Sequence, residues 1–495
     1  GACRVASTRI RKLYEKYGKD TVEACVAVNL DRTERRLRDK IALLPDGDYY
    51  YEDYLEFYNA GQLDPVLVRF KLTVSGDQLI ADFDGTNTQV PGVVNSSLAV
   101  AGAGVFVAVK STLDPGGAMN HGAFRPIELR APEGSVVDVR DDAPAGAHGE
   151  VRKRAVSVAL GALSQIIPDL VSGDLCGTSF PNAIGGMNNR SGRRYVYYEA
   201  PAGGNGGFLE ADGSSAFVNV DFGNLPSISN AEMIENSMPL LVERSELRTD
   251  SGGAGEHRGG LGMLRQVRLL DEEASYSVLS DRAVIPPYGI KGGSSAMPYK
   301  LSITRGSEKI TFDTPGKVTG YPIKTDDVVV MRSAGGGSYG DPLRRDPALV
   351  CTDIEKGYVS LEMAKEQYGV ILTETGALNE TMTSEYRDKL RKKRFYIPIR
   401  IDNSLDYYTG KKGRRRILTL AGETARELNV VDDDMVELLG KNPAPLRAWI
   451  RISHLAAPDT ISLDDFATPV LGINESSTVW IRPLSTPIVP AGLAS

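Results

Sequence analysis

The sequence predicts an α+β protein: N-terminal helices, a β-rich and glycine-rich body, and a small C-terminal β-barrel with an internal repeat. Three observations predict this. Helical apolar spacing dominates the first 44 residues, and period-two alternation with glycine-rich crossings fills most of the chain to about residue 340. In the last ninety residues, two 22-residue stretches align without a gap at an offset of 43.

In chain order, GACRVASTRIRKLYEKYG reads as a helix stopped at Gly18, and a second helix runs from Asp20 to about Leu44. The first begins without an N-cap or an initiator Met, which leads us to expect upstream sequence, removed or carried by another chain. LPDGDYYYEDYLEF turns at Asp46-Gly47 into an aromatic strand, and VLVRFKLTV with LIADFDG forms a hairpin about Ser75-Gly76-Asp77. Residues 96–112, small and apolar, suit a buried helix; RAVSVALGALSQIIP, from Arg154, predicts another, stopped by Pro168. Short strands follow (YVYYEA, SYSVLSD, KLSITRG, DVVVMRS), then helices at 358–368 and 381–394. DNSLDYYTGKKGRRR reads as a solvated basic linker, with a docking strip as the alternative.

The repeat pairs LTLAGETARELNVVDDDMVELL, from Leu418, with ISLDDFATPVLGINESSTVWIR, from Ile461. Leu420 matches Leu463, Leu428 matches Leu471, Val430 matches Ile473 and Val436 matches Val479. Two such units resemble the halves of a double-psi β-barrel, whose closure removes strand edges. The repeat carries no catalytic constellation, so a docking role is expected. The expected divisions are a helical segment at 1–45, a core at 46–372, a helix and basic linker at 373–416 and the barrel at 417–485.

With 57 Lys and Arg against 64 Asp and Glu, the net charge of −7 argues against nucleic acid or anionic membrane as general partners. Four widely spaced cysteines lack a CxxC pair, which fits a reducing cytoplasm rather than a disulfide scaffold. No apolar run reaches the ~18–20 residues of a membrane span.

The glycines of SGGAGEHRGGLGMLRQVRLL raise the question of a phosphate loop. Gly255 and Gly260 have the Walker spacing, but Leu261 stands where lysine is required. A dinucleotide loop opens a helix, whereas MLRQVRLL alternates as a strand. Close backbone packing is the expected role, with a cavity wall or subunit seam as the alternative.

DSGGAGEHRGGLG, PPYGIKGG, SAGGGSYGDPLRRDP and DIEKGYVSLEMAKEQYGVIL, in this order, resemble the hydantoinase B/oxoprolinase family. RRLRDKIALLPDGDY, ADFDGTNTQVPGVVNSSLAV, LDPGGAMNHGAFRPIELRAPEGS and VYYEAPAGGNGG extend the resemblance over residues 2–372. It implies a catalytic subunit served by a partner of the hydantoinase A type, an ATPase that phosphorylates the carbonyl or enol oxygen of a small-molecule substrate. ATP would then be bound by the partner. The implied reactions are ring-opening hydrolysis of a cyclic amide, or ATP-dependent carboxylation of a ketone. A non-catalytic half completing a partner's site is the remaining reading. The family's N-terminal domain, with its metal-ligand motifs, is not in this sequence. A divalent metal is therefore expected outside this chain, with the missing domain carried by another.

For catalysis, the candidates are His121 with Asn120, His148, and Asp84 in FDG; each has a structural or turn role as its alternative. Arg125, Arg152 and Arg154 are candidates for substrate or phosphate binding by charge-assisted bonds, and Gly335, Gly336 and Gly337 by a backbone nest. None of the four histidines has a carboxylate at metal-ligand spacing.

Overall fold

The computed structural model describes residues 1–140, 143–217, 228–403, 415–475 and 477–484. Helices α1 (Ala2–Tyr17) and α2 (Lys19–Ile41) meet at Gly18, whose φ of 80° lets one residue end the first and start the second. Only the second half of α2 is seated, burying Thr33, Leu37 and Ile41.

Strand β1 (Gly47–Leu55), a small hairpin of β2 (Tyr58–Asn59) and β3 (Gln62–Leu63), β4 (Val66–Ser75) and β5 (Gln78–Asp82) follow. The expected hairpin is β4–β5; with β6 (Ile127–Arg130) they form a sheet of order β1-β4-β5-β6, its last pair parallel. The crossover is α3 (Leu98–Leu113), which packs on α4 (His148–Ser164), and α4 covers β1 and β4. Gly104 permits this: a Cβ there would overlap the Arg152 carbonyl. Helix α4 starts six residues earlier than the apolar run from Arg154 suggests, because His148–Lys153 is a polar first turn.

The second half of the body holds β7 (Asn182–Asn188), β8 (Arg193–Glu199), α5 (Ala231–Ser237), β9 (Leu240–Leu247), β10 (Met263–Leu269), β11 (Glu273–Leu279), β12 (Lys300–Arg305), β13 (Glu308–Ile310), β14 (Lys317–Lys324) and β15 (Val328–Arg332). They form antiparallel sheets of order β14-β11-β7-β8 and β13-β12-β15-β10-β9 around one core that includes Ile184, Tyr276, Val267 and Val329.

Between these sheets and the first lies a layer of glycine-rich backbone. Its segments bond to one another directly, as in Gly204 N–H to Ala334 O (3.1 Å), Gly253 N–H to Gly336 O (3.0 Å) and Gly207 N–H to Gly337 O (2.9 Å). A Cβ on Gly337 would overlap the Tyr288 carbonyl oxygen. Close backbone approach is therefore what these glycines provide, and no helix follows residue 262 to make a dinucleotide loop.

Helices α6 (Pro347–Glu355), α7 (Leu361–Glu366) and α8 (Glu380–Lys392) lead to the barrel. It comprises β16 (Phe395–Ile401), β17 (Ile417–Leu420), α9 (Gly422–Leu428), β18 (Met435–Leu439), β19 (Leu446–Ile452), β20 (Ile461–Leu463), α10 (Ala467–Leu471) and β21 (Thr478–Pro483), closed in the order β16-β20-β17-β19-β18-β21. The duplication is visible in the pairing. Exchanging β17 with β20, β18 with β21 and β19 with β16 maps every neighbour onto a neighbour, including the parallel pairs β17–β19 and β16–β20. Asn429 and Gly472, one repeat apart, both end their helices in the left-handed region, at φ 53° and 65°. The barrel thus begins at Phe395 and not at 417: part of the expected linker is a barrel strand. Residues 404–414 of that linker lie outside the described residues, and its last two basic residues, Arg415 and Arg416, are not solvated as expected but buried in ion pairs with Asp433 and Glu52.

Candidate functional site

The barrel sits on β1 through buried charge. Arg416 of β17's approach bonds Glu52 at 2.8 Å and also reaches Asp464 of the barrel, while Tyr51 Oη donates to Pro445 O at 3.0 Å. Trp449 of β19 meets Tyr54 edge-on, with ring centroids 4.8 Å apart.

One residue further along β1's register, Asp53 gathers three arginines. Arg154 Nη1 of α4 lies 2.6 Å from Asp53 Oδ2, Arg282 Nη2 lies 2.9 Å from the same oxygen, and Arg447 Nη1 of β19 lies 3.3 Å from Oδ1. Arg154 also bridges to Asp281 at 2.6 Å, and Arg282 reaches Asp174. Burial opposes the charge on Asp53, yet Arg154, Arg282 and Arg447 hold its carboxyl well below the usual range. Lys317 and Arg154 likewise hold Asp281 low against its burial. Beside it, burial and the charge of Asp281 push the Glu56 carboxyl up to about 7, although Lys317 and the N–H groups of Val284 and Ile285 oppose the rise.

From Arg447 the network reaches a cleft. Arg447 and Arg482 hold Glu437 on β18, at 3.3 and 2.8 Å, and Ser295 Oγ donates to Glu437 at 2.6 Å. Both arginines keep Glu437 ionised despite full burial. Glu437 and Arg482 form one wall of a cleft of about 310 Å³; Ser294–Pro298 form another, with Met363 and Gln367 beyond α7's start. Arg482 is fixed by Gly293 O at 2.6 Å and Gly292 O at 3.3 Å as well as by Glu437. Asp250, Ser294, Ser295 and Gln367 add polar groups to the other walls, between Met297, Met363 and several prolines, so the cleft offers a small molecule both apolar surface and convergent polar groups.

The residues singled out in sequence do not converge there. His121, in a short 3-10 turn, and His148, at the start of α4, are both exposed; His148 Nδ1 lies 3.0 Å from Ala145 O. Asn120 is a clasp: its Oδ1 caps Gly122 N–H and its Nδ2 donates to Thr33 of α2, each at 2.9 Å. Asp84 is exposed, and its N–H donates to Asp82. Arg125 is spent on Asp31 and Glu34, both at 2.9 Å. Arg152 is half-buried, two positions from Arg154 on α4 and so turned away from it.

Arg154 alone joins the buried cluster, as its organiser. The phosphate nest expected at Gly335–Gly337 is corrected by the backbone: the three N–H groups donate to Met297 O, Gly260 O and Asp174 O, leaving none for an anion. Asp53, Asp281, Glu437, Arg447 and Arg482 were not singled out. Asp53 and Glu437 carried a signal, an acid inside an apolar strand, as in YYYEDYLEF and MVELL; Asp281, Arg447 and Arg482 carried none.

Among the described residues, no group of three or more His, Cys, Asp or Glu side chains is placed to hold a metal ion. The divalent metal implied by the resemblance does not fit the described residues. No described helix is long and apolar enough to cross a membrane.

Residues 1–342 match the model of the Hydantoinase B/oxoprolinase family. The B-type component of a putative D-/L-hydantoinase from Pseudomonas sp. (strain NS671) is 30% identical over 397 residues, which is 78% of this chain and 66% of the relative. The beta component of the caprolactamase of Pseudomonas jessenii is 29% identical over 78% of this chain and 67% of its own length. The chain thus spans about two-thirds of the length of these curated relatives. The crystal structure of the ATP-dependent caprolactamase from Pseudomonas jessenii superimposes with a TM-score of 0.73 at 27% identity, covering 78% of this chain and 68% of that one. A nucleotide-free acetone carboxylase shares the fold, with a TM-score of 0.69 at 19% identity over 77% of this chain and 57% of that one. With the family match extending from residue 1 through both body sheets and into the glycine layer, this chain belongs to the hydantoinase B/oxoprolinase family.

Proposed function

We propose that this chain is a subunit of an ATP-dependent, multi-subunit enzyme that opens a cyclic amide by hydrolysis. A partner ATPase subunit of the hydantoinase A type phosphorylates the substrate's carbonyl oxygen. The observation that carries this reading is the similarity, over 78% of the chain, to one component of a hydantoinase and one of a caprolactamase, enzymes named for ring amides. The likeness to acetone carboxylase, at 19% identity, speaks for the fold alone, so ketone carboxylation is the second reading.

A phosphorylated carbonyl needs fixed donors and exclusion of water. The cleft beside Glu437 and Arg482 supports such a role. Arg482 is locked by its carboxylate and by two glycine carbonyls, so it meets a ligand oxygen without reorganising. Arg154 acts behind it, holding Asp53 and through it Arg447. His121, His148, Asn120 and Asp84 lie on exposed or capping positions, where they would serve only if a partner closes over them. ATP and the divalent metal belong to the partner in this reading, and no step here is routed through either.

The test is to purify the chain with a co-expressed hydantoinase A-type subunit and follow ATP hydrolysis with hydantoin, 5-oxoproline and caprolactam. Ring-opened product formed without bicarbonate is the expected result. Turnover that requires bicarbonate and a ketone overturns it in favour of carboxylation. An ATPase that assembles with this chain but gives no product with either class makes the chain a non-catalytic half.

A further inference from the structure

A second cavity, of about 330 Å³, opens where the outer face of the barrel meets the body, and it shares no lining residue with the cleft beside Glu437. One wall is aromatic. Val479 and Ile481 of β21 point into the barrel, each 1% exposed, so Trp480 between them points outward. It stands opposite Tyr396 of β16 on one side and Leu439 of β18 on the other. The Trp480 and Tyr396 rings lie 6.5 Å apart at 35°, with Trp480 half-buried and Tyr396 exposed. Together they offer a flat apolar face to whatever enters the cavity.

The other walls are cationic. The Arg394 guanidinium lies 4.4 Å from the Trp480 ring centroid and is aimed by Asp341 at 2.6 Å. Lys291 has a φ of 52°, a left-handed conformation that costs a lysine energy and persists here because its N–H is tied to Pro443 O at 2.8 Å. Its ammonium holds Asp169 at 2.7 Å. Gly292 follows at φ 87°, and its N–H has no hydrogen-bond partner among the described residues. Lys441 is exposed and makes no ion pair or side-chain hydrogen bond among them either. With Asp169 counted, and with the Arg482–Glu437 pair beside Trp480, four cations stand against three carboxylates. One cation is in excess, and Lys441 is unspent.

We infer that this cavity binds a small acid carrying a flat ring. The ring lies on Trp480 and Tyr396, and the carboxylate or phosphate meets Lys441 and the Gly292 N–H. A nucleoside monophosphate and an aromatic carboxylate share this chemistry. The inference stands independently of the ring-amide and partner readings above.

The experiment is calorimetric titration of the full chain with AMP, adenosine, benzoate, benzamide and inorganic phosphate. AMP or benzoate is expected to bind, with the uncharged ring and the bare phosphate at least about tenfold weaker. The tighter of AMP and benzoate names the source. Binding should quench Trp480; the chain's other tryptophan, Trp449, is buried against Tyr54. Lys441→Glu and Tyr396→Ser, both at exposed positions, should keep the melting temperature and weaken binding by at least about tenfold.

No binding of AMP or benzoate at millimolar concentration overturns the inference. Inorganic phosphate binding as tightly as AMP makes the cavity a plain anion site, and adenosine or benzamide matching its charged counterpart makes it a plain stacking surface; either overturns it. Binding that both variants leave intact, with Trp480 emission unchanged, places the ligand elsewhere and overturns it too.

Discussion

Arg154 on α4 and Asp53 on β1 form a fully buried ion pair of 2.6 Å, and the pair is the hinge of a network joining three parts of the chain. The second η-nitrogen of Arg154 takes Asp281 from the loop after β11, while Asp53 takes Arg447 from the barrel. A buried pair contributes little net stability compared with apolar residues of the same shape, but breaking it strands a charge.

Arg154→Met is therefore expected to lower stability by about 3–5 kcal/mol, because Asp53 and Asp281 lose their shared partner in a dry environment. Arg154→Lys rescues only part of this, since a single ammonium replaces a fork that serves two carboxylates. Urea unfolding of the two variants against the parent checks both. A midpoint unchanged in Arg154→Met would show that the network is not a structural keystone.

Stability is expected to fall as pH rises from about 4.5 to 7, over and above the ordinary trend. Glu56, lifted to about 7 by burial and Asp281, binds its proton more tightly folded than unfolded. Its contribution is complete below the unfolded carboxyl pKa and is lost as pH rises through the folded value. Asp53, Asp281 and Glu437 have depressed values, so their contribution is intact across this window and disappears only in stronger acid. Denaturation midpoints at pH 5 and pH 8 should differ in the parent. The difference should shrink in Glu56→Gln, whose amide oxygen still accepts from Val284 and Ile285.

The glycine layer makes its own prediction. Gly337→Ala places a methyl group against the Tyr288 carbonyl and should cost more than about 2 kcal/mol through overpacking. Gly116→Ala, with open space around it and ordinary φ, should be within about 0.5 kcal/mol of the parent. Thermal melts of the two compare the positions directly. Equal melts would mean the layer yields, and that close approach is not what its glycines are for.

Much of this fold was legible from local pattern. The β4–β5 hairpin, the aromatic strand β1 and the buried helix α3 each follow from spacing within about twenty residues, and the barrel's duplication from the repeat at an offset of 43. Strand β16 falls inside the span expected as helix and basic linker; FYIPIRI, despite Pro398, forms an antiparallel ladder with β21. The candidate site was not legible for a different reason. Asp53, Arg154, Asp281 and Arg447 are far apart in sequence, and nothing in the sequence around any one of them points to the other three. The first three meet where α4 and the loop after β11 close over β1, and Arg447 joins them only through the docking of the barrel against β1, contacts that no periodicity encodes. The histidines drew notice by chemistry alone, and the fold leaves His121 and His148 on the outside.

The cleft beside Arg482 and the exposed histidines can be separated by two kinds of substitution. Met297→Trp adds bulk to one wall of the cleft at a half-buried position, and is expected to raise KM for the ring amide by about tenfold or more with little change in melting temperature. Arg482→Lys keeps the charge near Glu437 but loses the paired contacts to Gly292 and Gly293, so it should lower kcat/KM while costing about 1–2 kcal/mol of stability. His121→Ala and His148→Ala should leave stability within about 0.5 kcal/mol, both side chains being exposed. If catalysis occupies the cleft, the two histidine variants retain the parental kcat/KM in the assembled enzyme while Met297→Trp does not. If instead a histidine variant abolishes turnover and Met297→Trp is silent, the reaction runs on the outer face, where a partner subunit would have to enclose it.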